Sequence, residues 1–346
     1  MRKGAPAASG RQGIGVLKPK GLKMKKIVLS AIAAAVLSAT SAFAADMPVK
    51  AKPPAPEPSP WDWAFGGQLL TDYNFRGISQ SNRGPSGTVY SETRYNVNSD
   101  WQLYAGQQYW AVTLPTNPTC ECDIYGGIRP TFGPLSLDLG AIYYWYPREK
   151  QHLGFPNPIL GATFPQYPNG NTTLRDTDFW EVYIKGTWEV VKDRFWLGFN
   201  EYYSPSWLKT GAYGNFASGT AKIGLPSFKL GLFGMDEIGW YLSGEVGYYA
   251  FGTTNFVPGV FVGPIAGTGV KMPNYTFWNA GAAFTWKVAT LDLRAYGTDP
   301  TKANCNILTG DPTAAPNAAG VLGSKWCGTT FIGAMKFDLT AMANLK

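Results

Sequence analysis

Fourteen charged residues recur on alternate positions of, or close beside, stretches that are otherwise apolar: Asp72, Arg76, Glu92, Arg94, Asp123, Arg129, Asp138, Glu181, Lys185, Glu245, Asp292, Arg294, Lys336 and Asp338. Eight acids against six bases can line a water-filled passage or pair with one another, and the balance leaves anion or cation preference open. Catalysis is a poor match. Nucleophilic chemistry needs a base beside the nucleophile, usually a His. The only His is His152, between Gln151 and Leu153, and no Gly-x-Ser-x-Gly elbow occurs. Cys120 and Cys122 lie two apart, while Cys305 and Cys327 flank one long loop. An even number of cysteines in an exported chain reads as loop disulfides, and with no His nearby a metal site does not follow. The residues call for no cofactor, metal or catalytic group.

Positioning such charges is the work of strands. From Trp278 every second residue suits lipid (Trp278, Ala280, Ala282, Phe284, Trp286), with Asn279, Gly281, Ala283 and Thr285 between them. After Lys287–Thr290 the pattern resumes, Leu291, Leu293 and Ala295 opposing Asp292, Arg294 and Tyr296. A period of two puts successive side chains on opposite faces, so this is a hairpin with one apolar and one polar face. Its aromatic ends, Tyr275 and Trp286, suit a membrane interface. Similar runs begin near Trp61, Thr88, Trp101, Asp123, Leu135, Thr177, Phe195, Phe216, Trp240 and Thr329. The first is read through Tyr73 and Phe75 on the apolar face, with Asp72, Asn74 and Arg76 opposite. In the seventh, Glu201 falls on the apolar face unless a bulge or the membrane edge intervenes. The count is twelve, with ten or fourteen as alternatives because the third and eighth runs alternate poorly.

The connections alternate too. Short turns follow the even-numbered strands and long loops the odd-numbered ones, which is the pattern of a transmembrane antiparallel up-and-down β-barrel. The fold class is therefore all-β, with short periplasmic turns and long extracellular loops that hold all four cysteines. Such a sheet must close, because unpaired edge groups are costly in lipid.

The formal charge of +7 resides in the N-terminal segment: residues 1–44 hold eight Lys and Arg and no acid, against 22 basic and 23 acidic residues beyond. A nucleic-acid partner loses its support with that division. Residues 24–44 read as a signal peptide, with Lys25-Lys26, an apolar stretch and an Ala42-Phe43-Ala44 cleavage site. Residues 1–23 read as an over-extended gene start or leader, 45–60 as a Pro-rich periplasmic linker, and 61–346 as the barrel. Export then leads to the outer membrane of a Gram-negative cell, with outer-membrane lipid and the barrel-assembly machinery as partners.

At Thr71–Gln80 (TDYNFRGISQ), Asp123–Gly127, Asp138–Pro147, Phe179–Tyr183, Tyr202–Pro205 and Thr285–Arg294 the chain resembles the TorF family of porins. That resemblance implies an outer-membrane barrel with pore activity and brings no catalytic residues. Three functions compete. The first is a pore for passive diffusion of small hydrophilic solutes or ions. The second is a structural or adhesive barrel whose loops bind a partner, with Phe256–Pro264 as a contact patch. The third, a barrel hydrolase, rests on His152 alone. A soluble β-sandwich explains the alternation but not the aromatic strand ends.

Overall fold

The structure is a computed structural model that describes residues 59–152, 171, 173–231, 237–255 and 269–344. The expected leader, signal peptide, most of the Pro-rich linker and the Phe256–Pro264 patch lie outside the described residues. Twelve antiparallel strands close into a barrel. They are β1 Trp61–Leu70, β2 Ser86–Asn96, β3 Trp101–Trp110, β4 Glu121–Phe132, β5 Leu135–Trp145 and β6 Phe179–Val191. The rest are β7 Phe195–Ser204, β8 Gly214–Phe228, β9 Ile238–Phe251, β10 Tyr275–Trp286, β11 Ala289–Thr298 and β12 Thr330–Thr340. Each pairs with its neighbours in sequence, and β1 with β12 closes the ring from Ala64↔Thr340 to Leu70↔Ala334. The barrel sheet is left with no open edge, as backbone groups in a hydrocarbon environment demand.

The outward face carries an apolar band between two aromatic girdles. At the short-turn end Trp61, Trp63, Trp101, Phe132 and Trp188 are exposed. At the long-loop end Tyr109, Tyr143, Trp145, Trp180, Tyr203, Tyr248 and Trp278 are exposed. Leu103, Ile124, Leu197, Leu242, Val246, Leu291 and Leu293 lie exposed between them. In water each would cost on the order of 1–3 kcal/mol; in lipid they are at home, and Trp and Tyr fall at the depth they prefer. Glu201 belongs to this outward face. The register through it is unbroken, Ile184↔Glu201, so no bulge re-aims it. It lies three residues from the end of β7 and accepts a 2.6 Å hydrogen bond from Asn215 Nδ2, so the membrane edge is the answer there. Pro226, in β8, coincides with the one irregularity in that pairing, between Leu225 and Phe228.

The first run departs from expectation. β1 stops at Leu70, and residues 71–85 turn into the barrel instead of continuing along its wall. Tyr73 is consequently buried, not lipid-facing, and Phe75 packs against the same buried cluster. Within this segment Asn74–Phe75 and Ile78–Ser79 pair as a small ribbon. Its two-residue turn, Arg76-Gly77, has φ of 48° and 88°, the positive pair that a tight hairpin requires. A Cβ at Gly77 would overlap the Thr298 methyl and crowd the Phe277 ring, so glycine is needed for space as well as for φ. We call residues 71–85 the inner loop.

The long connection from β11 to β12 holds a helix α1, Lys302–Thr309, capped by the Thr301 side chain and ended by Gly310 in the left-handed region. The inner loop and this connection meet in an apolar core at the long-loop end of the barrel. Ile78, Phe216, Tyr249, Phe251, Tyr275, Phe277, Cys305, Leu308 and Trp326 form it. Cys305 is bonded to Cys327, and Cys120 to Cys122. Cys122 lies within β4 rather than in a loop, because that strand begins two residues earlier than its alternation indicates.

Candidate functional site

The polar face of the barrel wall encloses the lumen, and many of its charges are held by one another. On the arc β2–β6, Glu92 accepts from Arg94 Nε at 2.6 Å and from both terminal nitrogens of Arg129 at 2.8 and 2.9 Å. Asp138 accepts from Lys185 at 2.9 Å and from Arg129 Nε at 3.4 Å, with the Tyr104 hydroxyl donating as well. Arg129 lies 3.6 Å over the Tyr104 ring. Strand register explains the grouping: Arg94 is opposite Tyr104, and Asp138 is opposite Lys185.

A second network occupies β7–β12. Asp292 pairs with Arg294 at 3.2 Å and with Lys336 at 3.8 Å. Arg294 also donates to Asn279 at 2.6 Å and Ser243 at 2.8 Å. Glu245 accepts only from neutral groups, Ser218 at 2.6 Å, Asn279 at 3.0 Å and Asn200 at 3.2 Å. Asp338 accepts from Tyr90 at 2.8 Å. Both networks run along the wall between near-neighbour strands. Cavities of about 510, 830 and 530 Å³, sharing lining residues, fill the lumen between them.

Asp72 and Arg76 are not wall residues. Both belong to the inner loop, because β1 has already ended. Asp72 accepts from Ser79 at 2.6 Å, Ser81 at 3.0 Å and Arg83 at 3.2 Å, which holds the loop to itself. Arg76 crosses the lumen to Glu181 on β6. The contact is bidentate, 2.7 Å on both arms, and Glu181 is fully buried. Four rings surround the guanidinium, Phe75, Tyr202, Phe216 and Tyr249, at 4.5–4.9 Å. Burial opposes the Arg76 charge, but the Glu181 carboxylate outweighs it and holds the guanidinium well above its ordinary pKa. Tyr144 and Tyr249 donate to the remaining sides of Glu181 at 3.0 and 3.3 Å.

The inner loop is clamped from outside as well. Arg83 donates to the Lys325 and Cys327 carbonyls at 3.0 and 2.9 Å, Ser79 N to the Trp326 carbonyl at 3.0 Å, and Trp326 Nε1 to Asn82 at 2.9 Å. Beneath it Asp123 on β4 is 3 % exposed, and its Oδ1 has no hydrogen-bond partner. Two residues earlier, Glu121 accepts from Tyr73 at 2.5 Å and Tyr146 at 2.9 Å. Burial, reinforced by the neighbouring acids, pushes both phenols well above their ordinary pKa.

Sequence reasoning missed Glu121, Tyr104, Tyr144 and Asn200 as lumen groups, whereas Asn279 already stood on the polar face of its hairpin. Glu121 was legible: it continues the Asp123, Tyr125 alternation by one more step. Lys222, over the Trp196 and Tyr241 rings at 5.0 and 4.2 Å, lies on the strand with the weakest alternation. His152 makes an antiparallel bridge with Thr173, and its Nδ1 is 3.4 Å from that hydroxyl. Burial lowers its pKa. Among the described residues no three His, Cys, Asp or Glu are grouped to hold a metal ion.

Three solved structures are similar in fold. An outer membrane channel from Pseudomonas putida F1 is 8% identical, with 82% of this chain and 96% of that one covered and a TM-score of 0.38. Outer-membrane expressed OmpT of Vibrio cholerae is 10% identical, with coverages of 82% and 99% and a TM-score of 0.34. The Pseudomonas putida toluene transporter TodX is 10% identical, with coverages of 82% and 88% and a TM-score of 0.32. Similarity at this level says nothing of solute or mechanism. No curated protein matches the sequence. A family model described as a bacterial protein of unknown function, Gcw_chp, matches residues 55–311, and the chain belongs to that family.

Proposed function

We propose that this protein is an outer-membrane pore of a Gram-negative bacterium, passing small hydrophilic solutes or ions by passive diffusion, with its extracellular mouth closed at rest. The observation that carries the reading is the direction of the ion pairs. Glu92, Asp138 and Asp292 are satisfied along the wall, by Arg94, Arg129 and Lys185 on one arc and Arg294 and Lys336 on the other, which leaves polar space between the arcs. Charges that merely filled a solid barrel would reach across it. Among the ion pairs of the described residues only that of the inner loop does so, through Arg76 to Glu181. The aromatic girdles, the signal peptide expected in residues 24–44 and the resemblance to TorF-family porins support the same reading. The partners are lipid, the barrel-assembly machinery and the permeating solute, and no enzymatic activity is assigned.

The test is planar-bilayer conductance of the chain from Ala45, refolded and checked by its gel shift on heating. Infrequent, reproducible steps are expected from the wild type, and more frequent ones from Arg76→Gln. A folded barrel silent in both forms would overturn the pore. It would favour the second reading, in which the filled mouth and its loops bind a partner outside the cell, as the apolar core at that end permits.

A further inference from the structure

The acids of the described lumen are not evenly neutralised. Glu92, Asp138 and Asp292 each face at least one base, and Glu181 faces Arg76. Glu121 and Asp123, on the same face of β4 directly under the inner loop, face none. Glu121 is nonetheless saturated, since each of its oxygens accepts from a phenol. Asp123 is not. Its carboxylate is nine-tenths buried, Oδ1 is without a donor, and the residue lines the cavity of about 830 Å³. A buried carboxylate with no partner costs several kcal/mol, so wall positions of this kind are normally paired.

The same cavity holds a second unsatisfied group, Nδ2 of Asn74 on the inner loop. Tyr73, Phe75, Trp110 and Tyr144 contribute aromatic surface to the lining, which elsewhere is polar and charged. Trp110 is stacked at 3.9 Å on Tyr73, and Tyr144 at 4.5 Å on Phe179. Register sets Asp123 between Gln108 on β3 and Tyr144 on β5, both of which line the cavity. An open carboxylate beside Tyr73, Trp110 and Tyr144 offers an organic ammonium a charge-assisted contact on one side and a cation–π contact on the other, and the bases that also line the cavity, Arg294 and Lys336, are engaged by Asp292. A divalent metal would need more oxygens than the site can supply, because the nearer acids are already occupied and no cluster of three ligands exists among the described residues.

We propose that Asp123 is the anchor of a binding site for a small solute bearing a protonated amine, reached from the periplasmic part of the lumen. This rests on the pore reading and names its substrate class, but binding can be measured whether or not the barrel conducts.

The test is calorimetric titration of methylammonium chloride into the barrel refolded from Ala45 in detergent micelles. Wild type should show saturable one-site heats, and methanol, equal in size and uncharged, should show none. Asp123→Asn should weaken methylammonium at least tenfold while keeping the gel shift of a folded barrel. Potassium chloride at equal concentration should not displace the amine. Absence of saturable heats in folded wild type, binding unchanged in Asp123→Asn, binding of methanol, or displacement by potassium at parity would each overturn the site. Failure of this titration alongside normal conductance would sink the amine site and leave the pore standing. Binding in a silent barrel would do the reverse.

Discussion

Arg76 and Glu181 are the two residues on which the proposed closed state rests. Their contact is buried, bidentate and ringed by aromatic faces, so it gains from charge assistance and from the low local dielectric. Removing one member is costlier than the pair itself is worth, because the survivor stays buried with its charge unmatched. Glu181→Gln should therefore lose about 3–5 kcal/mol of stability, read as a lower urea midpoint in lipid vesicles. The inner loop should loosen with it, seen as faster trypsin cleavage after Arg83. Unchanged cleavage with a lowered midpoint would make the pair a wall support rather than a latch. Little of this was legible beforehand. Tyr73, Phe75 and Arg76 carry on the alternation of β1 for six residues past its end, so the period alone gave no sign of a turn inward. The readable clue was Arg76-Gly77 between the apolar Phe75 and Ile78, a glycine-containing pair suited to a hairpin turn.

Strands, by contrast, were legible to within about two residues at most of their starts: β5 begins at Leu135, β7 at Phe195 and β10 at Tyr275, as read, and β3 at Trp101 although that run alternates poorly. The reason is physical. Lipid accepts only apolar side chains on one face and water demands polar ones on the other, so a one-residue error flips the whole strand. Where one face is small and unremarkable, as in β8 with Ala217, Gly219 and Ala221, the signal fades and so did the reading. This asymmetry predicts unequal tolerance within one strand. Leu139→Arg on β5 puts a charge against lipid and should cost about 2–4 kcal/mol if it lies near the midplane. Asp138→Asn, one residue away in the lumen, keeps the hydrogen-bonding shape toward Tyr104 and Lys185 and should cost under about 1.5 kcal/mol. Heat-modifiable gel mobility and urea midpoints for the two variants check this. Comparable losses would argue against lipid on that face.

The molecule as a whole is divided along its axis. Its short-turn half is a polar passage with charges held to the walls, and its long-loop half is an apolar plug that a loop reaches from inside and another secures from outside. The outer clamp is covalent. Cys305 in α1 and Cys327 close a 22-residue segment that includes Trp326, 1 % exposed and bonded to Asn82 of the inner loop. A crosslink of that span restrains the segment by roughly 3 kcal/mol, and the Cys327 carbonyl it fixes is itself an acceptor for Arg83. Cys120–Cys122 spans a single intervening residue, so it restrains little chain. If the plug is what holds the pore shut, the two disulfides must differ in effect. Replacing Cys305 and Cys327 by Ser should raise the frequency of open steps in a planar bilayer severalfold, and reductant on wild type should do the same. Replacing Cys120 and Cys122 should leave the steps as they were. Equal responses would mean that reduction unsettles the barrel in general. No response from the first pair would mean that Arg76 and the apolar core suffice to hold the mouth closed, because the outer clamp then adds stability without contributing to the gate.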